Sequence, residues 1–149
     1  MISKILVPID GSETAKKATE YAVGLAKQID ASLTLLAVID KSLFIGRSIP
    51  SVVTPTHLME PVEDYLRQAA EAYLGEAESL CKKNGVQSKK VIRSGHPVEE
   101  IIKEAEKSKV DLIIMGSHGK SALKAAVLGS VTFGIIHKDT KIPVLVVRR

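Results

Sequence analysis

The segment that decides the fold is VDLIIMGSHGKSALKAAVLGS, residues 110–130. Residues 110–115 are apolar except for Asp111, a pattern typical of a strand buried on both faces of a parallel sheet. Gly116, Gly119 and Gly129 follow this strand. Because glycine permits tight turns and close approach of the backbone to a ligand, the segment predicts a buried strand that ends at a binding loop.

Strand and helix patterns alternate on both sides of this segment. The predicted strands cover residues 4–10, 32–40, 86–95, 110–115 and 141–149. The predicted helices cover residues 11–31, 61–84 and 96–109, and a last helix starts at Ser130. This alternation predicts an α/β fold, in which a single domain of residues 1–149 forms a doubly wound parallel sheet with helices on both faces.

Local signals predict where the helices begin and end. Ser12 is the expected N-cap of the first helix, and Pro61 is expected at the first position of the second helix. Gly85 is expected to close the second helix in a left-handed conformation. The segment Lys41–Glu60 has no clean period and is predicted to be a long connection, a class of loop that is often functional.

Composition limits the classes of function. The chain has 149 residues, 3% aromatic residues and a net charge of +4 with the charges mixed along its length. This is a weak signal for nucleic-acid binding, so neither DNA nor RNA is predicted as a partner. Cys81 is the only cysteine, and the N-terminus lacks the features of a signal peptide. No apolar run is long enough to span a membrane, so we expect a cytoplasmic protein that does not enter membranes.

A ligand is expected where the first strand and residues 110–115 end. In open parallel sheets, ligands bind at the carboxyl ends of the strands where the strand order reverses. If these two strands are neighbours, Asp10 and Gly116 line one crevice. A helix that starts at Ser130 offers unpaired N–H groups and partial positive charge, which suit phosphate. Gly129 is predicted to let phosphate approach this backbone, and the hydroxyls of Ser130 and Thr132 are predicted donors.

Two familiar phosphate-binding motifs do not fit. A Walker A loop ending at Gly119, Lys120 and Ser121 would need glycine where Ile114 stands. The first strand is not followed by the G-x-G-x-x-G sequence of dinucleotide-binding folds. The spacing that is present is Gly-x2-Gly-x9-Gly-Ser, from Gly116 to Ser130.

That spacing resembles the nucleotide signature of the universal stress protein family. ILVPIDGSE near the N-terminus and VDLIIMGSHGKSALKAAVLGSVTFGIIHKDTKIPVLVV in the last third are also similar to the family, so the resemblance covers nearly the whole chain. It implies a five-stranded parallel sheet in the order 3-2-1-4-5, a homodimer, and ATP in the crevice between strands one and four. Since all the glycines are present, it implies membership of the family's ATP-binding branch.

The resemblance also implies which residues bind the nucleotide. By position, these are Pro8, Ile9 and Asp10 beside adenine and ribose, Ala37 and Val38 at the adenine edge, Met115, Gly116, His118 and Gly119 in the first glycine turn, and Gly129, Ser130, Val131 and Thr132 in the second. No catalytic residue and no metal ligand from the protein is implied. Mg²⁺ or Mn²⁺ would be held by the ATP phosphates.

Some of these residues also have simpler interpretations. Asp10 could only cap the turn to Gly11, which is the commonest role of such an aspartate. His118 has no partner acid or nucleophile in the local sequence, so it is interpreted as a loop residue near phosphate. Cys81 is expected in the core, and Gly134 is expected to allow close packing of its helix on the sheet.

The strand Val144–Val147 predicts a homodimer independently of the family. It is apolar on both faces and ends the chain, so as a bare sheet edge it would promote aggregation. Pairing with a second copy around a two-fold axis removes that edge. The alternative is that a neighbouring loop covers it.

Three functions compete at this stage. The first is a regulatory stress-response protein that responds to bound ATP, with an unidentified partner. The second is a slow ATPase or phosphotransferase that uses the same glycine turns, which requires a positioned base and charge stabilisation at the γ-phosphate. The third is a flavin or dinucleotide carrier, which the missing fingerprint argues against. The sequence favours the first and predicts at most weak ATP hydrolysis.

Overall fold

A computed structural model describes residues 1–40, 55–119 and 128–148. Its strands are β1 (Lys4–Pro8), β2 (Ser32–Ile39), β3 (Ser88–Ser94), β4 (Leu112–Gly116) and β5 (Val144–Val147). Its helices are α1 (Glu13–Ile29), α2 (Pro55–Lys83), α3 (Pro97–Lys107) and α4 (Ser130–Ile136). Strands and helices therefore alternate as predicted.

The five strands form one parallel sheet in the order β3-β2-β1-β4-β5, which confirms the predicted fold class and strand order. β1 lies at the centre, with Leu6 paired to Thr34 of β2 on one side and to Ile113 of β4 on the other. The chain moves outward from β1 to β3 and then returns to β4. The strand order thus reverses between β1 and β4, which is where a parallel α/β sheet opens a crevice at its carboxyl edge.

Each face of the sheet is covered by its own helices. On one face, β1 and β4 contribute Ile5 and Ile114 to a core completed by small residues of α1 and by α2. On the other face, Leu6 and Ile113 pack with residues of α3 and with Ile135 of α4. β4 is buried along its whole length, as expected for an inner strand.

Several local predictions are confirmed. The Ser12 hydroxyl accepts a hydrogen bond from the Ala15 N–H at 3.2 Å, so Ser12 is the N-cap of α1. Gly85 has a φ of 68° and follows the end of α2. Cys81 is fully buried, and burial raises the pKa of its thiol.

The start of the second helix was predicted wrongly. α2 begins at Pro55, so Pro61 lies inside the helix rather than at its first position. An internal proline removes one helical hydrogen bond and costs about 3 kcal/mol, and α2 nevertheless continues through Pro61 over 29 residues. The predicted connection Lys41–Glu60 is therefore helical from Pro55 onward, and residues 41–54 lie outside the described part of the chain.

The role predicted for Gly134 also needs correction. A Cβ at Gly134 would lie 2.7 Å from Cγ2 of Val98, which belongs to α3. The missing side chain therefore lets α4 approach α3, and the close packing is between two helices rather than between helix and sheet. None of the helices in the described ranges combines the length and apolar character that crossing a membrane requires.

Candidate functional site

The ends of β1 and β4 bring the predicted aspartate and the first glycine turn together. We call residues 116–119 the first glycine turn and residues 129–132 the second glycine turn. A Cβ added to Gly119 would lie 2.8 Å from Oδ2 of Asp10. Asp10 is thus in close contact with the first glycine turn through Gly119, and only a residue without a side chain fits at position 119 while Asp10 keeps this orientation.

Three successive carbonyl groups of the first glycine turn each accept a hydrogen bond, and these bonds hold the turn in place. The Thr132 hydroxyl donates to the Gly116 carbonyl at 2.8 Å, and the Gly129 N–H donates to the Ser117 carbonyl at 2.7 Å. The Thr14 hydroxyl donates to the His118 carbonyl. Two donors come from the second glycine turn and one comes from α1, so two separate segments fix the path of this backbone.

Two of the glycines make room for neighbouring protein segments. A Cβ at Gly116 would lie 2.7 Å from both the carbonyl carbon and Oγ1 of Thr14. A Cβ at Gly129 would lie 3.1 Å from His118 Cα and 3.2 Å from the Gly119 nitrogen. The reason given for Gly129 from the sequence was therefore incomplete, because its missing side chain makes space for the first glycine turn.

Asp10 has one oxygen in a local turn and the other at the crevice. Its Oδ1 accepts a hydrogen bond from the Ser12 N–H at 2.9 Å, which is the turn-capping role considered from the sequence. Its Oδ2 is the atom that abuts Gly119. The side chain is exposed, and Asp10 therefore caps the turn while its Oδ2 lies beside the first glycine turn.

His118 has a partner that the sequence reasoning missed. Its Nδ1 lies 2.8 Å from Oγ of Ser117, the preceding residue. The Ser117 N–H donates to the Val147 carbonyl at 2.9 Å, which ties this turn to the end of β5. Ser117 is only 2% exposed, so its hydroxyl orients the imidazole and is shielded from an incoming substrate.

The second glycine turn contributes structure as well as candidate ligand groups. Thr132 is 2% exposed and its hydroxyl is directed to the Gly116 carbonyl. This hydroxyl, predicted as a donor to phosphate, is instead used within the protein. Ser130 is exposed as the first residue of α4, and Val131 packs partly against the core under α3.

The end of β2 lies beside this crevice. The Ile9 N–H donates to the Leu36 carbonyl at 2.7 Å, which extends the pairing of β1 and β2 past Pro8. The next residues of β2 are Ala37, which is buried, and Val38, which is half-buried. The predicted groups of residues at the ends of β1, β2 and β4 therefore lie at one edge of the sheet.

Besides Ser117, Ser12 and Thr14 lie at this site although the sequence did not assign them to it. The Ser12 hydroxyl lies 3.5 Å from the His118 carbonyl, the same group that Thr14 contacts. Both look like ordinary residues at the start of a helix, and their contact with the first glycine turn spans more than a hundred residues of sequence. Within the described part of the chain, no three His, Cys, Asp or Glu side chains are grouped to hold a metal ion.

The fold and this edge define a class of protein: a parallel α/β domain with two glycine turns in contact at its point of strand reversal. Residues 1–148 match the model of the universal stress protein family. The chain therefore belongs to the universal stress protein family.

Individual relatives agree with this assignment. The chain is 40% identical to universal stress protein MJ0577 of Methanocaldococcus jannaschii, over 100% of this chain and 96% of the relative. It is 35% identical to universal stress protein YxiE of Bacillus subtilis, over 99% of this chain and 100% of the relative. A solved structure of MJ0577 matches with a TM-score of 0.87 and 36% identity, over 100% of this chain and 97% of that one.

Two more distant structures with the same fold hold nucleotides. A universal stress protein in complex with cAMP matches with a TM-score of 0.70 at 22% identity, covering 99% of this chain and 97% of that one. A universal stress protein from Archaeoglobus fulgidus in complex with dAMP matches with a TM-score of 0.64 at 18% identity, covering 99% of each chain. At these identities the likeness shows a shared fold.

Proposed function

We propose that this protein binds ATP in the crevice between β1 and β4 and acts as a nucleotide-dependent regulatory protein in a stress response. The observation that carries the proposal is the contact between the two glycine turns beside Asp10. Backbone held in this way can present N–H groups to an anion at fixed positions. The cAMP and dAMP complexes of other family members support an adenine nucleotide as the ligand.

Different residues would bind different parts of the nucleotide. The ends of β1 and β2, from Pro8 to Asp10 and at Ala37 and Val38, would border adenine and ribose. The two glycine turns would face the phosphates, where Ser130 is an exposed hydroxyl donor. Mg²⁺ or Mn²⁺ would be bound through the phosphates, which suits metals that retain water and bind nucleotide oxygens.

Gly129→Val tests the proposed site. The new side chain would press on the His118–Gly119 backbone, so we expect the variant to lose ATP binding. Isothermal titration calorimetry with ATP and Mg²⁺ measures this, after any carried nucleotide has been released and identified by mass spectrometry. Gly75→Ala is the matched control, since a Cβ at Gly75 meets nothing within 4 Å. Unchanged ATP affinity in Gly129→Val would refute the site.

The same preparations separate regulation from catalysis. Burial of Ser117, which is 2% exposed, argues against its hydroxyl acting as a nucleophile, even though a hydrogen bond to histidine such as the one to His118 is what activates serine nucleophiles. Slow phosphate release, or none, from the ATP complex supports the regulatory function. Multiple turnovers per minute, lost in Gly129→Val, would instead support the ATPase or phosphotransferase alternative.

The proposed function includes a homodimer formed through β5. β5 is the last strand of the sheet order, so one of its edges has no partner strand among the described residues. All four of its residues are partly exposed. We expect sedimentation equilibrium to give twice the chain mass of 16.0 kDa. A single species at 16.0 kDa across micromolar concentrations would contradict the dimer.

A further inference from the structure

Thr14 connects α1 to the first glycine turn. It lies in the first turn of α1 and is 7% exposed, although its side chain is polar. Its hydroxyl donates to the His118 carbonyl, and its own backbone lies against Gly116. A residue near the start of the chain thus contacts both ends of the peptide segment from Gly116 to His118.

The hydrogen bond to the His118 carbonyl has a consequence for the next N–H group. The peptide bond between His118 and Gly119 is planar, and in a trans peptide the C=O and N–H groups point in opposite directions. Holding the carbonyl toward Thr14 therefore directs the Gly119 N–H away from α1. The Gly119 nitrogen lies 3.2 Å from the position of a Cβ on Gly129, so this amide is beside the second glycine turn.

We infer that Thr14 is a positioning residue for the phosphate groups of the ligand, because its hydroxyl orients the Gly119 N–H between the two glycine turns. The inference rests on the proposed ATP site and adds a residue to it. Ser12 has a weaker part, since its hydroxyl is 3.5 Å from the same carbonyl. The N–H that Thr14 orients serves phosphate, so Thr14 should matter for ATP and not for adenosine.

A purely structural role makes a different prediction. Buried hydroxyls normally find a hydrogen-bond acceptor, and losing one costs stability wherever it lies. Thr19 provides the matched comparison within α1. It is 4% exposed, and its hydroxyl donates to the Ala15 carbonyl of its own helix at 2.8 Å. Thr19 thus has a similarly buried hydroxyl bond that does not involve the first glycine turn.

The experiment compares Thr14→Val, Thr14→Ser and Thr19→Val. Each folded variant is titrated with ATP plus Mg²⁺ and separately with adenosine by calorimetry. We expect Thr14→Val to weaken ATP binding about three- to tenfold, the range that one hydrogen bond contributes, with adenosine affinity unchanged. Thr14→Ser, which keeps the hydroxyl, should restore ATP affinity, and Thr19→Val should leave both affinities unchanged.

Amide NMR gives a readout that does not depend on the nucleotide. The Gly119 amide signal should shift in Thr14→Val and stay in place in Thr14→Ser and Thr19→Val. An equal loss of ATP and adenosine affinity in Thr14→Val, or an unchanged ATP affinity, overturns the positioning role. A wild-type protein that binds no adenine nucleotide refutes the proposed function and with it the phosphate role of Thr14. The Gly119 signal then still reports whether Thr14 orients the peptide.

Discussion

Two polar regions of the molecule are held together by different kinds of interaction. The charge network consists of Arg93 on β3 with Glu100 and Glu104 on α3, where Arg93 Nε lies 2.8 Å from Glu100 and Nη1 lies 3.1 Å from Glu104. The glycine crevice between β1 and β4 is instead held by hydroxyl and backbone N–H donors on backbone carbonyls. One region buries carboxylates, and the other positions uncharged backbone.

The difference separates a stabilising cluster from the candidate binding site. Glu100 and Glu104 are 8% and 3% exposed, and each is paired to Arg93. The hydrogen bond from Arg93 lowers the pKa of Glu100, so the charged form is the stable one. The charges of the network are neutralised by each other within the protein. Backbone N–H groups of the glycine turns can instead be paired with an anionic ligand. A conspicuous group of charges is thus the structural region here, and inconspicuous glycines form the candidate site.

Arg93→Met should have the largest effect on stability. It leaves two nearly buried carboxylates without their shared cation, and breaking a buried ion pair costs about 3–5 kcal/mol. Because the Arg93 side chain is 25% exposed, we expect the lower end of that range in urea unfolding. ATP affinity of the folded variant should be unchanged if the two regions are independent.

Lys103→Met is the matched control for the network. Lys103 also contacts Glu100, at 3.4 Å, but its side chain is 61% exposed. A surface pair of this kind contributes about 0–1 kcal/mol, so the variant should unfold at nearly the wild-type urea concentration. Equal losses in Arg93→Met and Lys103→Met would show that burial does not set the strength of this network.

Gly116→Ala should have the next largest effect on stability and should also reduce ATP affinity. Its Cβ would press on the backbone of Thr14, and overpacking of this kind costs about 1–3 kcal/mol. Gly24→Ala is the control, since a Cβ there meets nothing within 4 Å and lies in α1. We expect it to stabilise the protein by about 0.5–1 kcal/mol. Comparable stability of the two variants by urea unfolding would contradict the tight contact at Gly116.

The pH dependence of the charge network should be the smallest effect. Since the folded pKa of Glu100 is lowered, the folded state binds protons less readily than the unfolded chain. The contribution of the Glu100 charge to the free energy of unfolding is complete above the unfolded pKa of about 4.3. It is lost as pH falls through the folded pKa of Glu100. The stability difference between wild type and Glu100→Gln should therefore shrink on acidification below pH ~4.3. A constant difference from neutral to acidic pH would exclude this linkage.

Much of the fold followed from local patterns in the sequence. The apolar run before Gly116 predicted an inner strand, and β4 is fully buried. Ser12 predicted a helix start and is observed as an N-cap. Pro61 was misleading because the rule for proline at helix starts is local, whereas the length of α2 depends on the whole helix. The strand order came from the family resemblance and could not be read from the strands one by one.

The glycines of the candidate site were predicted from the sequence, but the hydrogen bonds that Thr14 and Ser117 make at the first glycine turn were not. Glycine spacing is visible in sequence because tight turns leave few other residues possible. The Thr14 contact with His118 and the shielding of Ser117 are not visible, because residues of these types occur at many helix starts and loops. Which carbonyl a hydroxyl reaches depends on how α1 packs beside β4.

The sequence by itself determined the alternating elements, the inner strand β4 and the presence of two glycine turns. These depend on hydrophobic periodicity and backbone conformation, which act between near neighbours in the chain. Only the tertiary structure decided which groups meet at the crevice, including Asp10 against Gly119, Thr14 on His118 and Gly129 on the first glycine turn. Parallel pairing of β1 with β4 brings these distant segments to one edge of the sheet.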